Sequence, residues 1–328
     1  MNRSWSHALA LVAVLLVPGA ARAQQPIESV GTRALGFGGA FVAVADDATA
    51  VYWNPAGLVT ARPGGVTIEW TRLRSGNPNG APQLGDAGQD SNLWSLGTWP
   101  MGVFYGKIRS THLVPVAPGV TGLQTLQTRQ FGATLLQTLT RGVVLGTSLK
   151  YIRGGITADS SSAPTTKEAL EQGLNLSGPT NGAFDFDVGV MVDMEHLRIG
   201  LTARNLRQPQ FADGAGNAIT LRRQSRAGIA ILPSDGLTLA FDVDLDTVDL
   251  RGDLRRMIAL GGEHRLNKRL AIRGGVRWNL KVDEWVRRPV AAAGASVTIR
   301  SGLYLDGFYT QGRFDGDRGF GFGLRAGS

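Results

Sequence analysis

The chain has 328 residues, 34 Lys and Arg against 26 Asp and Glu, a formal net charge of +8, 45 glycines and no cysteine. Lack of cysteine excludes a disulfide framework and a lipid-modified N-terminal cysteine, and arginines scattered among apolar residues exclude nucleic acid as the partner behind the basic excess. Beyond the leader no run of about eighteen apolar residues occurs, which excludes helical membrane spans and leaves a soluble β protein or a transmembrane barrel.

Met1 to Ala23 carries one early charge at Arg3, an apolar run from Ala8 to Val17, then Pro18-Gly19 and the small-x-small site Ala21-Arg22-Ala23. This is the pattern of a secretory leader, expected to be cleaved before Gln24. Its apolar part, about ten residues, is too short to cross a bilayer as a helix. Residues 24–64 form the next unit. Gly36, Gly38 and Gly39 permit backbone approaches that a side chain would block. Ala40 to Trp53, rich in alanine and other small residues, predicts a short buried helix, and Asn54-Pro55 ends it because the residue before proline is pushed out of the helical region. The adjacent Asp46 and Asp47 diverge by about 100° on a helix. With no histidine or metal-type partner nearby, they read as capping or contact residues and not as an acid/base pair.

Taken together, the glycine run, Ala45-Asp46-Asp47-Ala48 and Asn54-Pro55-Ala56-Gly57-Leu58 resemble the FadL superfamily of outer-membrane barrels, in spelling closest to its PorV/PorQ branch. The resemblance implies a 14-stranded antiparallel barrel in the outer membrane of a Gram-negative cell, inserted by the barrel-assembly machinery and surrounded by outer-membrane lipid. It also implies an N-terminal hatch inside that barrel, with the hatch motif on Asn54, Pro55 and Ala56. Two functions come with it. One is passive transport of hydrophobic small molecules of long-chain fatty-acid type, which pass the hatch and leave sideways through a gap beside the third strand; Gly102 and Gly106 suit a kink there. The other is PorV/PorQ-like binding or shuttling of exported proteins. Neither brings a cofactor.

Residues 65–328 independently read as such a barrel. Runs of roughly ten residues with period-two alternation predict strands at 66–73, 92–98, 101–109, 128–139, 143–153, 184–194, 197–206, 221–232, 237–246, 255–265, 268–279, 287–299, 302–311 and 318–327. Tight connections such as Trp99-Pro100, Glu195-His196 and Arg300-Ser301 alternate with longer polar ones at 74–91, 110–127, 154–183, 207–220, 247–254, 280–286 and 312–317. Outer-membrane barrels sort their turns and loops in this way.

Cost assigns the faces. An arginine against mid-bilayer lipid costs about 2–4 kcal/mol, so Arg269, Arg273 and Arg277 turn inward while Leu270, Ile272, Val276 and Trp278 turn out. The same rule places Asp185, Asp187, Asp193, Asp242, Asp244 and Asp246 in the lumen. A tight turn at Glu195-His196 sets Asp193 opposite Arg198 and Asp187 opposite Arg204, and Arg222 and Arg226 lie beside the aspartates of 237–246. On that register, exchanging Asp187 and Arg204 conserves their pair. These charges fit a permeation path, or a lumen stitched shut by ion pairs and filled by the hatch; a wide aqueous porin needs about sixteen strands.

Aromatics at strand ends, among them Trp70, Trp94, Tyr105, Tyr151, Trp278, Trp285 and Tyr309, suit interfacial girdles. In 154–183, Thr165 and Glu168 have capping-box spacing and Leu170 and Leu174 lie four apart, predicting a short surface helix that guards a ligand's way in or covers the rim. Catalysis finds no support. His112, His196 and His264 are too scattered for a metal site, and no nucleophile elbow, dinucleotide loop or P-loop is complete. The chain reads as a non-enzyme with no metal.

Overall fold

The computed structural model describes residues 30–61, 64–117, 120–212, 218–250, 253–281, 289–312 and 318–327. The leader, residues 282–288 with Trp285, and residues 313–317 lie outside that set. In chain order the strands are β1 (Gly65–Ser75), β2 (Ala87–Thr98), β3 (Met101–Ala117), β4 (Val120–Thr140), β5 (Val143–Ser160), β6 (Asn181–Met194), β7 (Leu197–Arg204), β8 (Gln210–Ala212) and β9 (Ala218–Thr220). They continue with β10 (Gln224–Ser234), β11 (Leu237–Asp244), β12 (Val248–Leu250), β13 (Asp253–Arg255), β14 (Met257–Arg265), β15 (Leu270–Asn279), β16 (Val290–Arg300), β17 (Leu303–Gly312) and β18 (Arg318–Ala326). Fourteen of them close into one antiparallel barrel, sealed where β1 pairs with β18. The remaining four form two small hairpins, β8–β9 and β12–β13, within the connections expected at 207–220 and 247–254.

Each of the fourteen predicted strands has its counterpart. Closure leaves no unpaired edge, the condition for a sheet to stand in lipid. Outward positions carry the apolar residues: Leu135, Leu149, Ile231, Leu239, Ile272 and Phe322 are all exposed on the outer wall. One end of the barrel holds the tight turns, where Gly142 and Gly302 take positive φ of 77° and 78° beside a shift of register, as a hairpin turn closed by a glycine bulge requires. The other end holds the loops.

Two expectations need correction here. The connection placed at 110–127 is mostly strand: β3 and β4 stay paired from Met101–Leu135 out to Pro115–Thr121. Outward-facing Leu113 and Leu123 at that level are buried beneath Ala169 and Leu170 of helix α3 (Thr166–Asn175), which gives the extension a reason to remain sheet. Helix α3 itself starts as the capping spacing predicts, with Thr165 Oγ1 accepting from the Glu168 amide.

The second correction concerns Ala40 to Trp53. Helix is confined to α1 (Thr32–Gly36) and α2 (Ala50–Trp53), followed by a 3-10 turn at Pro55–Val59, and residues 40–49 run irregularly. The amides of Phe41 and Val42 donate to Asp242 of β11. The Val42 carbonyl, which a helix would turn to the Asp46 amide, accepts from Asn54 Nδ2 at 2.9 Å. Asn54 is extended at φ −153°, ψ 103°, and ends α2 ahead of Pro55.

Candidate functional site

Residues 30–58 lie inside the barrel, nearly all fully buried. Phe37, Phe41 and Trp53 pack edge to face with centroids 5.9 Å apart, against Leu93, Phe104 and Ile108 of the wall. Among the described residues, three sets of hydrogen bonds fasten this hatch to the wall.

Arg33 on α1 makes the first fastening. Its Nε and Nη2 reach both oxygens of Glu263 on β14 at 3.1 and 2.7 Å, while Nη1 pairs with Asp46 and lies 3.3 Å from Asp47. Beside it, Glu69 of β1 accepts the Thr32 amide at 2.8 Å. Asp242 makes the second, accepting from Phe41 and Val42 at 2.8 and 2.9 Å, next to Arg226, which donates to the Gly39 carbonyl at 3.3 Å. Asn54 makes the third: its Nδ2 donates to Val42 O at 2.9 Å and to Val190 O of β6 at 3.2 Å, and its Oδ1 accepts the Ala56 amide. Asp46 and Asp47 act as contacts and caps, since Asp47 Oδ1 also accepts the Thr49 amide at 2.9 Å just before α2.

Glycines on the inner wall make room for this chain. A Cβ at Gly200 would stand 2.6 Å from the Val42 carbonyl, and one at Gly102 would stand 2.7 Å from methyls of Val51 and Leu58. At Gly146, Gly189, Gly261 and Gly275 it would overlap Ala56, Asn54 and the Phe37 carbonyl. Much of the glycine in the strands is thereby explained by a backbone lying against a backbone.

The predicted lumen charges fall largely on the inner wall. Arg198 Nε lies 2.8 Å from Asp193, Arg204 Nε lies 3.5 Å from Asp187, and Arg226 Nη2 lies 2.6 Å from Asp244. Arg273 reaches Glu263 at 3.1 Å and Asp306 at 3.4 Å, and Arg277 is buried. Arg269 departs from its assignment: it is exposed in the turn before β15, because that strand begins at Leu270. Arg222 also departs, its Nη1 donating to Gln208, and Arg223 meets Asp246 instead. Sequence reasoning missed Lys150, fully buried at 3.1 Å from Asp185 and 2.7 Å from Asp187, and the stacking of Arg204 over the Tyr52 ring at 3.5 Å. It also missed Glu69, Asp306 and Arg325. Parity alone would have found Lys150, Glu69 and Asp306, each between two outward apolar or glycine positions; nothing in the sequence marks Arg33.

The expected gap beside the third strand is not where the hatch motif sits. From Met101 to His112 β3 pairs with both β2 and β4 without a register shift. Gly102 faces the hatch and does not kink the strand. The Asn54-Pro55-Ala56 motif instead lies on Gly189 of β6 and Gly146 of β5. At the turn end, a cavity of about 320 Å3 is lined by charged residues including Arg33, Asp47, Glu263, Lys268 and Arg325. At the loop end, the β8–β9 hairpin folds into the mouth, where Phe211 and Ile219 pack with Leu126, Ile152, Ile156 and Leu221. Among the described residues no group of three or more histidine, aspartate or glutamate side chains converges as a metal site.

A closed barrel with an apolar outer wall, a charged inner wall and an N-terminal hatch defines a transmembrane barrel of FadL-like architecture. Solved structures share it. The CymD monoaromatic hydrocarbon channel aligns over 92% of this chain and 98% of its own, at 13% identity and a TM-score of 0.65. The Ralstonia pickettii toluene transporter TbuX aligns over 92% and 98% at 14% identity and 0.61, and a Pseudomonas aeruginosa FadL homologue over 93% and 99% at 13% and 0.61. Residues 126–244, from β4 to the end of β11, match the family described as F plasmid transfer operon, TraF, protein. No curated protein matches the sequence.

Proposed function

We propose that this barrel resides in the outer membrane of a Gram-negative cell, exported through a leader removed before Gln24, and passively admits hydrophobic small molecules, long-chain fatty acids among them. The observation that carries this reading is the apolar cluster of Leu126, Ile152, Ile156, Phe211, Ile219 and Leu221 at the loop-end mouth. These side chains are buried against one another, so a solute meets them where the β8–β9 hairpin parts from Ile152 and Ile156, and the apolar surface opened there favours solutes that gain by leaving water. The structural neighbours include proteins named as hydrocarbon channels and a toluene transporter, which supports a transport role over an enzymatic one. Passage requires the hatch to shift, and Gly36, Gly38, Gly39, Asp46, Asp47, Asn54, Pro55 and Ala56 form the gate.

The test is uptake of labelled oleate and of toluene by cells carrying the wild-type barrel, Phe211→Asp, or Asn54→Ala with Pro55→Ala. Phe211→Asp lowers uptake, and the double replacement alters it, while heat-resistant mobility on gels is retained. Unchanged uptake in both overturns the reading. A second reading, binding or shuttling of exported proteins, is favoured by the sealed lumen, because such a role needs no conduit. Native mass spectrometry separates the two: a retained small hydrophobe supports transport, and a stoichiometric protein partner supports secretion.

A further inference from the structure

The outer wall over β2 to β6 carries a row of aromatics in strict register. Trp94 lies opposite Tyr105, Tyr105 opposite Phe131, Phe131 opposite Tyr151, and Tyr151 opposite Phe184. All are exposed, between 41% and 56%. Aromatics facing out at one level mark the interface between hydrocarbon and headgroups.

The next outward position toward the loop end holds Lys107, Arg129 and Arg153, again directly opposite one another. Like charges facing each other across strands are destabilising. Among the described residues no carboxylate forms an ion pair with any of the three, and Lys107 and Arg129 make no hydrogen bond; Arg153 donates to Thr180 at 2.8 Å. The neighbouring wall is handled differently, for outward Arg72 and Arg74 share Asp90 at 2.9 and 2.7 Å. Above the row, Arg109 is held by Gln127 and by the Leu174 carbonyl at the end of α3, which roofs this part of the wall.

We propose that the Lys107–Arg129–Arg153 row binds the phosphorylated headgroup of an outer-leaflet glycolipid, whose acyl chains lie over the aromatic row. Strands about 4.8 Å apart spread the three cations over about 10 Å, the width of a headgroup bearing more than one phosphate and not of a single small anion. Anionic headgroups supply the countercharge that the protein omits, at the level where the aromatics place them. The inference rests on the outer-membrane placement proposed above and not on the transport reading.

The test titrates lipid A into the detergent-solubilised full-length barrel and follows bound lipid by native mass spectrometry. Wild type binds lipid A in a salt-sensitive manner. Lys107→Gln, Arg129→Gln and Arg153→Gln combined weaken it roughly a hundredfold, from about fivefold for each basic side chain at a membrane surface. Lys107→Gln alone weakens it about fivefold, which keeps the test open if the triple variant fails to fold. A control, Arg72→Gln with Arg74→Gln, leaves binding unchanged. Wild-type affinity in the triple variant overturns the proposal, and so does full competition by millimolar inorganic phosphate, which would make this a site for the free ion. Oleate uptake measured on the triple variant separates the two readings, since lost lipid binding with normal uptake leaves transport standing.

Discussion

Replacing Arg33 with methionine keeps most of the side-chain volume and removes the charge that joins the hatch to β14. Burial opposes the guanidinium charge, yet the carboxylates of Asp46, Glu263 and Asp47 raise its pKa well above the ordinary arginine value, so the charge persists at any physiological pH. Removing one partner of a buried ion pair costs about 3–5 kcal/mol, because the other is left uncompensated. The low end applies here. Glu263 keeps Arg273 at 3.1 Å, Asp46 keeps Arg198 at 3.8 Å, and Asp47 keeps its hydrogen bond from Thr49. A loss of about 3 kcal/mol raises the population of displaced hatch roughly a hundredfold. Hydrogen exchange in detergent is the assay. Amides of residues 30–61 lose about two orders of magnitude of protection while those of the barrel strands hold theirs, since the barrel ladders do not pass through Arg33. Adding Glu263→Gln to Arg33→Met then costs less than the sum of the two single changes. Unchanged protection over 30–61 refutes the fastening; equal loss across the strands refutes the separation of hatch from wall.

Three further changes test other parts of the structure. Gly261→Val drives a side chain into the Phe37 carbonyl, an overpacking worth about 1–3 kcal/mol against the seated hatch, and limited proteolysis within 30–61 accelerates while the barrel core resists. Exchanging Asp187 and Arg204 puts a guanidinium beside Lys150, so the melting temperature of the double exchange is no higher than that of Asp187→Arg alone. Thr165→Ala removes the N-cap of α3, costing about 1 kcal/mol locally, and hydrogen exchange rises over 166–175 without change in the barrel.

The exchange of Asp187 and Arg204 shows where pattern reading stops. Period-two parity and the cost of charge against lipid identified both residues as inward, and the tight turn fixed their register, so on sequence grounds the swap conserves a pair. The fold then brings Lys150 from β5 to the same carboxylate, a contact between residues 37 positions apart that no local spacing encodes. The hatch repeats the lesson. The stop at Asn54-Pro55 was legible, but helix covers only Ala50–Trp53 of the stretch expected over Ala40–Trp53, and the Val42 carbonyl, which a helix would turn to the Asp46 amide, accepts from Asn54 Nδ2 twelve residues on.

By itself, then, the sequence determined strand number, the alternation of turns and loops, the inward face of most of the aspartates and arginines it assigned and the position of the α3 cap, because each depends on neighbours within a few residues and on the cost of charge in lipid. Tertiary structure alone decided what the inward charges hold, which glycines the hatch presses against, how far β3 and β4 extend, and that Lys107, Arg129 and Arg153 share one row. Those properties depend on the register between neighbouring strands and on contacts between the hatch and wall residues far from it in the chain, and no single segment spells either.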